Sequence, residues 1–391
     1  MMKNIIIVIA SLAIMLASAL TTMGAITKAR APELAVLLLP LNGFASENLA
    51  SAALKTMIVV NQGQFPESIT PDLANLAKQA FLAEPITPDA LAVLAFGSDE
   101  SAKSKLMNQA LLLSRRQQLV SGWMIADSAA RKDIPAVLNH YDTMLRSGSA
   151  SSSAIIPLMA RALENEDFVE PFAELLSQNP RWAVQFWTAV VGTPEALENA
   201  ARLRGLLYSP EEVDQSSTDA ILISSLVRNK QFVAARELYQ ILNDRAQSGP
   251  GSENGSFEHE PRYPPFDWML FSTGQYSAII ADGSLRLSAT PNSGGLFARQ
   301  LVLIPARTIG IEAKSPGIPD NAKVDISLTC AEAVDRPPRP ISIPLRSKST
   351  SQKISNVQSG CSFYWLDINA RAAEGVSGFD IIFDSVSLQL D

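Results

Sequence analysis

The first thirty or so residues restrict everything that follows them. From Ile5 to Ile26 the chain is apolar and uncharged, with Lys3 before the stretch and Lys28 and Arg30 behind it. About 20 apolar residues at a rise of 1.5 Å cross the hydrocarbon core of a bilayer, so this stretch is long enough to span one. No later run in the chain is. An apolar helix of this kind reads as a membrane anchor or an export signal. Ala17-Ser18-Ala19 offers a small-x-small cleavage site. The apolar run nevertheless continues through Leu20, Met23, Ala25 and Ile26, further than a signal core requires, so the expectation is an uncut anchor over residues 1–31, with a cleaved signal as the alternative. Basic residues flank both ends, and the charge rule for orientation is silent here.

Composition narrows the remainder. A chain of 391 residues suggests about two or three domains, and a hydrophobic content of 47% is ample for packed cores. The net charge of −7 argues against a phosphate-binding surface, so no nucleic acid is expected as partner. Cys330 and Cys361 are the two cysteines, both in the last third. In an exported chain such a lone pair points to a disulfide, worth about 3–4 kcal/mol on a chain-entropy estimate for a loop of about 30 residues. The plainer alternative is two small buried residues. His140 and His259 lie in different segments, which disfavours zinc sites and histidine-based triads.

Residues 32–247 carry recurrent helix-start signals. Thr70-Pro71-Asp72, Thr87-Pro88-Asp89 and Thr193-Pro194-Glu195 each place a hydroxyl, a proline without an amide to lose, and an acid facing the positive helix end. Ser209-Pro210-Glu211-Glu212 adds a capping box. No period-two alternation is sustained, so this is an all-α segment of about a dozen short helices. Ile134, Val137, Leu138, Tyr141 and Leu145 share one helical face, as do Phe232, Ala235, Leu238, Tyr239 and Leu242. Both stretches resemble the second helix of a tetratricopeptide-type hairpin, and Asp133-Ile134 and Asp167-Phe168 stand 34 residues apart, the length of that repeat. Stacked hairpins of this type present a surface that binds proteins, so the expected partner is another envelope protein. In His140-Tyr141-Asp142, Tyr141 reads as core with its hydroxyl at the rim, and His140 and Asp142 as pointing sideways toward solvent or a neighbouring helix. Arg115-Arg116 reads as a helix end, and Trp123, Trp182 and Trp187 as inter-helix packing.

Between Gln247 and Pro265 the character changes. Ser248-Gly249-Pro250-Gly251-Ser252 breaks any helix, and Pro261, Pro264 and Pro265 keep the backbone extended, making 248–265 a linker and strand entry. Alternation then appears in Ser284–Ser288, Val324–Leu328 and Ile341–Ile343, with Ile381-Ile382-Phe383 and Val386-Ser387-Leu388 near the end. Strands at this spacing without intervening helices indicate an antiparallel sandwich over residues 254–391.

Asn254-Gly255-Ser256-Phe257-Glu258, Trp268, and Asp384-Ser385-Val386-Ser387-Leu388 resemble the opening and closing strands of the jelly-roll carbohydrate-binding modules of the galactose-binding-like superfamily. Phe297-Ala298-Arg299-Gln300 followed by Leu303-Ile304-Pro305 resembles that family's aromatic-x-x-Gln strand and proline turn. The resemblance implies a structural calcium held by Glu258 and Asp384, although the middle strands offer no third carboxylate. It also implies glycan contact, for which Tyr276, Phe297, Arg299, Gln300 and Tyr364 are the candidates, aromatic faces to pack on a pyranose and polar groups to reach its hydroxyls. Trp268 and Trp365 are expected in the core. In Phe363-Tyr364-Trp365-Leu366, alternation sends Tyr364 and Leu366 to one face and the other two to the opposite face, and the sequence leaves open which face is buried. The whole layout resembles bacterial envelope proteins associated with exopolysaccharide genes. That implies a single-pass inner-membrane protein with periplasmic domains, acting as a scaffold or as an assembly component without glycan affinity. No pair of carboxylates or activated nucleophile stands at a recognisable spacing, so no enzyme and no cofactor beyond the calcium is expected.

Overall fold

The computed structural model describes residues 2–148, 152–209, 216–243, 251–305, 308–333, 339–346, 349–355, 360–374 and 377–390. Pro210, Glu211 and Glu212 of the expected capping box lie outside the described residues, as does the start of the helix-breaking segment, Ser248-Gly249-Pro250. The architecture is the expected one, a helical region followed by an all-β sandwich of antiparallel sheets, with, among the described residues, one apolar helix near the amino end that is long enough to cross a membrane. The chain divides into two compact units, Met1–Leu158 with Gln178–Trp182, and Met159–Ser177 with Ala183–Asp391.

The first unit opens with the apolar helix α1 (Met2–Thr27) and continues with α2 (Pro32–Leu38), α3 (Gly43–Val60), α4 (Pro71–Ala83), α5 (Pro88–Ala95), α6 (Glu100–Leu113), α7 (Gln118–Ala130) and α8 (Ile134–Ser147). Asn42 ties α1 to the array. Its side-chain oxygen caps α3 by accepting from Ala45 N–H at 3.1 Å, while its amide donates to the Gly24 carbonyl at 3.2 Å. A Cβ on Gly24 would lie 3.2 Å from that same amide nitrogen, so the close approach depends on glycine. The core between α3 and α7 is built from Leu54, Leu91, Val93, Phe96, Met107, Val120 and Trp123, all buried.

The expected helix starts are present, but their chemistry differs. Thr70 does accept from Leu73 N–H. Thr87 and Thr193 do not cap; their hydroxyls donate backwards, to Glu84 O at 2.7 Å and Ala189 O at 3.1 Å. In a short hairpin connection the same hydroxyl can serve the carbonyls of the helix just ended, which are equally without partners. Asp142 takes the second of its two expected settings, toward a neighbouring helix and not toward solvent. It is buried, accepting from the Trp182 indole at 2.9 Å and paired with Arg146 at 2.6 Å, while Tyr141 is only half-buried. An indole N–H taken out of water needs an acceptor, and the acid supplies it.

The second unit combines α10 (Val169–Leu176), α11 (Ala183–Val190), α12 (Leu197–Leu207), α13 (Ser216–Arg228) and α14 (Phe232–Leu242) with the sandwich; α9 (Ser152–Ala162) precedes them. The anticipated face of α14 is buried as read, Phe232, Ala235, Leu238, Tyr239 and Leu242, together with Arg236. The strands are β1 (Met269–Leu270), β2 (Tyr276–Ala281), β3 (Ser284–Ala289), β4 (Gly294–Leu303), β5 (Thr308–Lys314), β6 (Ala322–Cys330), β7 (Ile341–Leu345), β8 (Ser349–Ser355), β9 (Phe363–Ala372), β10 (Phe379–Phe383) and β11 (Ser385–Leu390). They form a five-stranded sheet, β1-β4-β9-β6-β7, and two three-stranded sheets, β10-β3-β2 and β11-β5-β8. All observed pairings are antiparallel, and one core draws side chains from all three sheets.

The opening and closing motifs do meet. Gly255 O accepts from Val386 N–H at 2.8 Å, and a Cβ on Gly255 would lie 2.5 Å from Val386 O. Phe257 and Trp268 are fully buried beside each other, ring centroids 5.7 Å apart, with the indole donating to Asn254 O. Cys330 and Cys361 form a disulfide with Cα atoms 6.0 Å apart, joining the end of β6 to the entry of β9.

Candidate functional site

The five-stranded sheet has one face in the core and one turned away from it. On β9, Tyr364, Leu366, Ile368, Ala370 and Ala372 belong to the core, which settles the alternation that sequence left open. Phe363, Trp365, Asp367 and Asn369 therefore share the outer face. Register places Arg299 of β4 opposite Asp367, and Asp367 opposite Ser327 of β6, which in turn faces Ser342 of β7. A polar row thus crosses four strands.

The row is cross-bonded. Arg299 meets Asp367 in a two-pronged pair, Nε to Oδ1 and Nη2 to Oδ2, both at 2.7 Å. That carboxylate raises the guanidinium pKa above its ordinary value, against a smaller opposing effect of burial. The same guanidinium lies 5.1 Å from the centroid of the Trp365 ring, a cation–π arrangement. One strand further, the Asn369 amide donates to Ser327 Oγ at 3.2 Å and to Asp325 Oδ2 at 3.3 Å, and Ser342 donates to Asp325 at 3.2 Å. The result is a pre-oriented set in which Asp367 and Ser327 are buried, while Arg299, Asp325 and Asn369 are half-buried beside the half-buried indole of Trp365. Groups of this kind can exchange hydrogen bonds with a polyol while the ring packs on its apolar side.

Of the five residues proposed from sequence for glycan contact, only Arg299 stands on this face. Phe297 and Tyr364 are in the core, Phe297 against Phe379 and Tyr364 with its hydroxyl donating to Cys361 O, so neither can offer a ring to solvent. Burial pushes the Tyr364 phenol upward in pKa. Gln300 is fully buried, its amide donating to Glu253 O at 2.8 Å and Phe266 O at 2.7 Å; it fastens the segment that enters the sandwich. The physical reason is the same for all three: they point inward from β4 and β9, where alternation or the bulge between Leu296 and Ala298 carries them into the core. Tyr276 is half-buried, its ring 4.7 Å from Phe297, and it lines a separate surface cavity of about 470 Å³ beside Gln275, Ser288 and Asp380. Trp365, expected in the core, is instead on the outer face. The signal that could have found the row was the continuation Asp367-x-Asn369, polar at every second position opposite Leu366, Ile368 and Ala370.

The residues proposed for calcium gather no set of further carboxylates around them among the described residues. Glu258 and Asp384 are both exposed, Glu258 on a polar cleft of about 600 Å³ that it shares with His259, Arg262 and Asp267, and Asp384 in the turn before β11. Among the described residues, neither joins two other acids, histidines or cysteines within 4.8 Å. Calcium takes six or more oxygens. The one cluster of metal-type side chains found there is Cys330, Glu332 and Cys361, and its two sulfurs are joined to each other, with Glu332 accepting from Ser362 N–H at 2.8 Å.

No protein-family model matches this chain, and no curated protein matches it. Solved structures that are similar over the β region include one described as "CBM4 structure and function", at 15% identity and a TM-score of 0.26, covering 36% of this chain and 99% of that one. Another is TmCBM61 in complex with beta-1,4-galactotriose, at 16% identity and a TM-score of 0.23, covering 37% of this chain and 97% of that one.

Proposed function

We propose that this protein is a membrane-anchored, non-catalytic scaffold of the bacterial envelope, holding a protein partner on its helical region and touching polysaccharide with the outer face of its five-stranded sheet. The observation that carries the glycan part is the Arg299–Asp367 pair stacked on Trp365 and flanked by Asn369, Asp325 and Ser327. A row of fixed donors and acceptors beside an aromatic face is what a sugar polymer, rich in hydroxyls and poor in charge, can use. The apolar helix α1 and the disulfide support an extracytoplasmic setting. A role in exopolysaccharide assembly or export follows from that setting together with the polymer.

The test uses the full chain in detergent on beads bearing bacterial or plant polysaccharides. Retention on at least one polymer, lost in Trp365→Ala while the melting curve is kept, is the expected result. Absence of retention on every polymer sinks the glycan reading. It would leave the alternative, an assembly protein without glycan affinity. One observation favours that alternative. Part of the same outer face is already covered by protein, because Phe363 stacks on Phe232 of α14 at 5.3 Å.

A further inference from the structure

Exposed apolar side chains gather at one end of the first compact unit, and the function proposed above makes no use of them. Helices α3 to α6 pack each on the next, α4 to α6 through short connections, with Lys103 at the start of α6 over the Phe96 ring at the end of α5, so α2, the start of α3, the end of α4, the start of α5 and the end of α6 meet at that end. Contacts fix the arrangement. Glu47 near the start of α3 accepts from Asp89 N–H at the start of α5 at 2.8 Å, and a Cβ on Gly43 would lie 2.7 Å from Ala80 O near the end of α4. Here Leu37, Leu41, Leu82, Ile86 and Leu112 are each at least 64% exposed.

Single exposed leucines are ordinary on a protein surface; a group of them around the exit of an apolar helix is not. The last turns of α1 lie against α2 at this end, through Gly24 and Asn42, and Asn48 of α3 donates to Lys28 O at 2.8 Å. The exposed side of α1 carries Leu16, Met23 and Ile26. Basic groups stand among them. Arg115 and Arg116, one residue beyond Leu112-Leu113, are exposed, and Lys28 and Arg30 occupy the turn after α1, against Glu33 and Glu84 as the acids not buried there. Leucines with a basic fringe are the composition of an element lying in a membrane interface.

We infer that this end of the helical unit rests on the bilayer that α1 enters, with Leu37, Leu41, Leu82, Ile86 and Leu112 in the headgroup–acyl boundary and Lys28, Arg30, Arg115 and Arg116 on anionic headgroups. The inference rests on reading α1 as a membrane anchor. Its consequence is orientational: the helical unit would be held against the membrane by a face and not swing from a single helix.

The full chain, reconstituted in vesicles of phosphatidylethanolamine and phosphatidylglycerol, tests this. An environment-sensitive fluorophore is attached at Leu112→Cys, Leu37→Cys or Val59→Cys in separate samples; the native cysteines are joined in the disulfide. Val59 is exposed at the opposite end of α3. Lipids carrying a nitroxide high on the acyl chain should quench the first two labels by about half and spare the third, since interfacial faces bury roughly 5–10 Å deep. Carbonate extraction of the same vesicles reports on α1 independently. Carbonate-resistant protein with the expected quenching supports the inference. Resistant protein with no more quenching at Leu112 and Leu37 than at Val59 overturns it and leaves the anchor standing. Release by carbonate overturns the anchor, and the inference with it. A blue-shifted label at Leu112 without lipid quenching, in a cross-linkable dimer, would give the face to a second copy and likewise overturn the inference.

Discussion

The outer face of the five-stranded sheet has two halves that share strands but not solvent. Toward the start of β9, Phe363 is buried against Phe232, Leu301 of β4 donates its N–H to Pro265 O, and the covering helix is held down by polar bonds. Tyr239 donates to Asp267 Oδ1 at 3.0 Å, and Asp267 in turn accepts from the backbone of Arg262 and Tyr263 at 2.7 and 2.6 Å. Burial drives the Tyr239 phenol far upward in pKa, with the Asp267 charge adding to it, so that hydroxyl stays a donor. Four residues further along β9 no ring packs in this way, and the face carries Asp367, itself buried, and half-buried Asn369 in a lattice of hydrogen bonds. The difference teaches that one alternating strand can serve as a docking surface at one end and a polar surface at the other. What decides is the side chains supplied by neighbouring strands and the element that packs above.

The comparison can be broken first at its covered half. Phe363→Ala should destabilise the second unit by about 3–5 kcal/mol, read by denaturant unfolding, because a stacked, fully buried ring leaves a cavity. A loss under about 1 kcal/mol would mean that the helix does not hold this face. Next comes the ion pair. Arg299→Ala and Asp367→Ala should each cost about 1–3 kcal/mol, and the double variant no more than the worse single, since either change leaves a partly buried charge without its partner. Additive effects would show that the pair does not act as a unit.

A buried acid without such a cation should behave differently, and Glu47 supplies the contrast. Burial, with Asp89 nearby adding a smaller push, raises its pKa to about 7, against the lowering pull of the bond from Asp89 N–H. A carboxyl whose folded pKa lies above its unfolded value favours folding while protonated. That stabilisation is complete below the unfolded pKa of 4.5 and is lost as pH rises through about 7. Glu47→Gln should therefore gain about 1–2 kcal/mol relative to the parent between pH 5 and pH 8, followed by melting across that range. An unchanged pH profile would place Glu47 in water. The smallest effect on stability, within about 1 kcal/mol, is expected for Trp365→Ala, since its ring is already partly in contact with solvent. That variant should show its effect on polysaccharide retention instead.

Much of the fold was legible in the residues. Apolar continuity marked α1, threonine-proline-acid punctuation marked the starts of α4 and α5, and period-two alternation marked β3, β6 and β7. The pairing of Cys330 with Cys361 followed from there being only two. The outer face itself was legible only in part. Of the candidates only Arg299 lies on it; Phe297, Gln300 and Tyr364 are buried, and Trp365 lies on the outer face and not in the core. An isolated strand gives the parity of its side chains and not which parity faces water; that depends on the register with strands far away in sequence.

The sequence by itself determined the local periods, the apolar helix near the amino end, and the class of each half, because these depend on neighbours within a few residues. The tertiary structure alone decided that Asp142 goes inward to meet an indole, that Gln300 clamps the entry segment, and that Arg299 finds Asp367 across two strands. Those outcomes turn on desolvating a polar group only where a distant partner waits for it. Partners 34 to 68 positions away in the chain are set by packing, which no local pattern encodes.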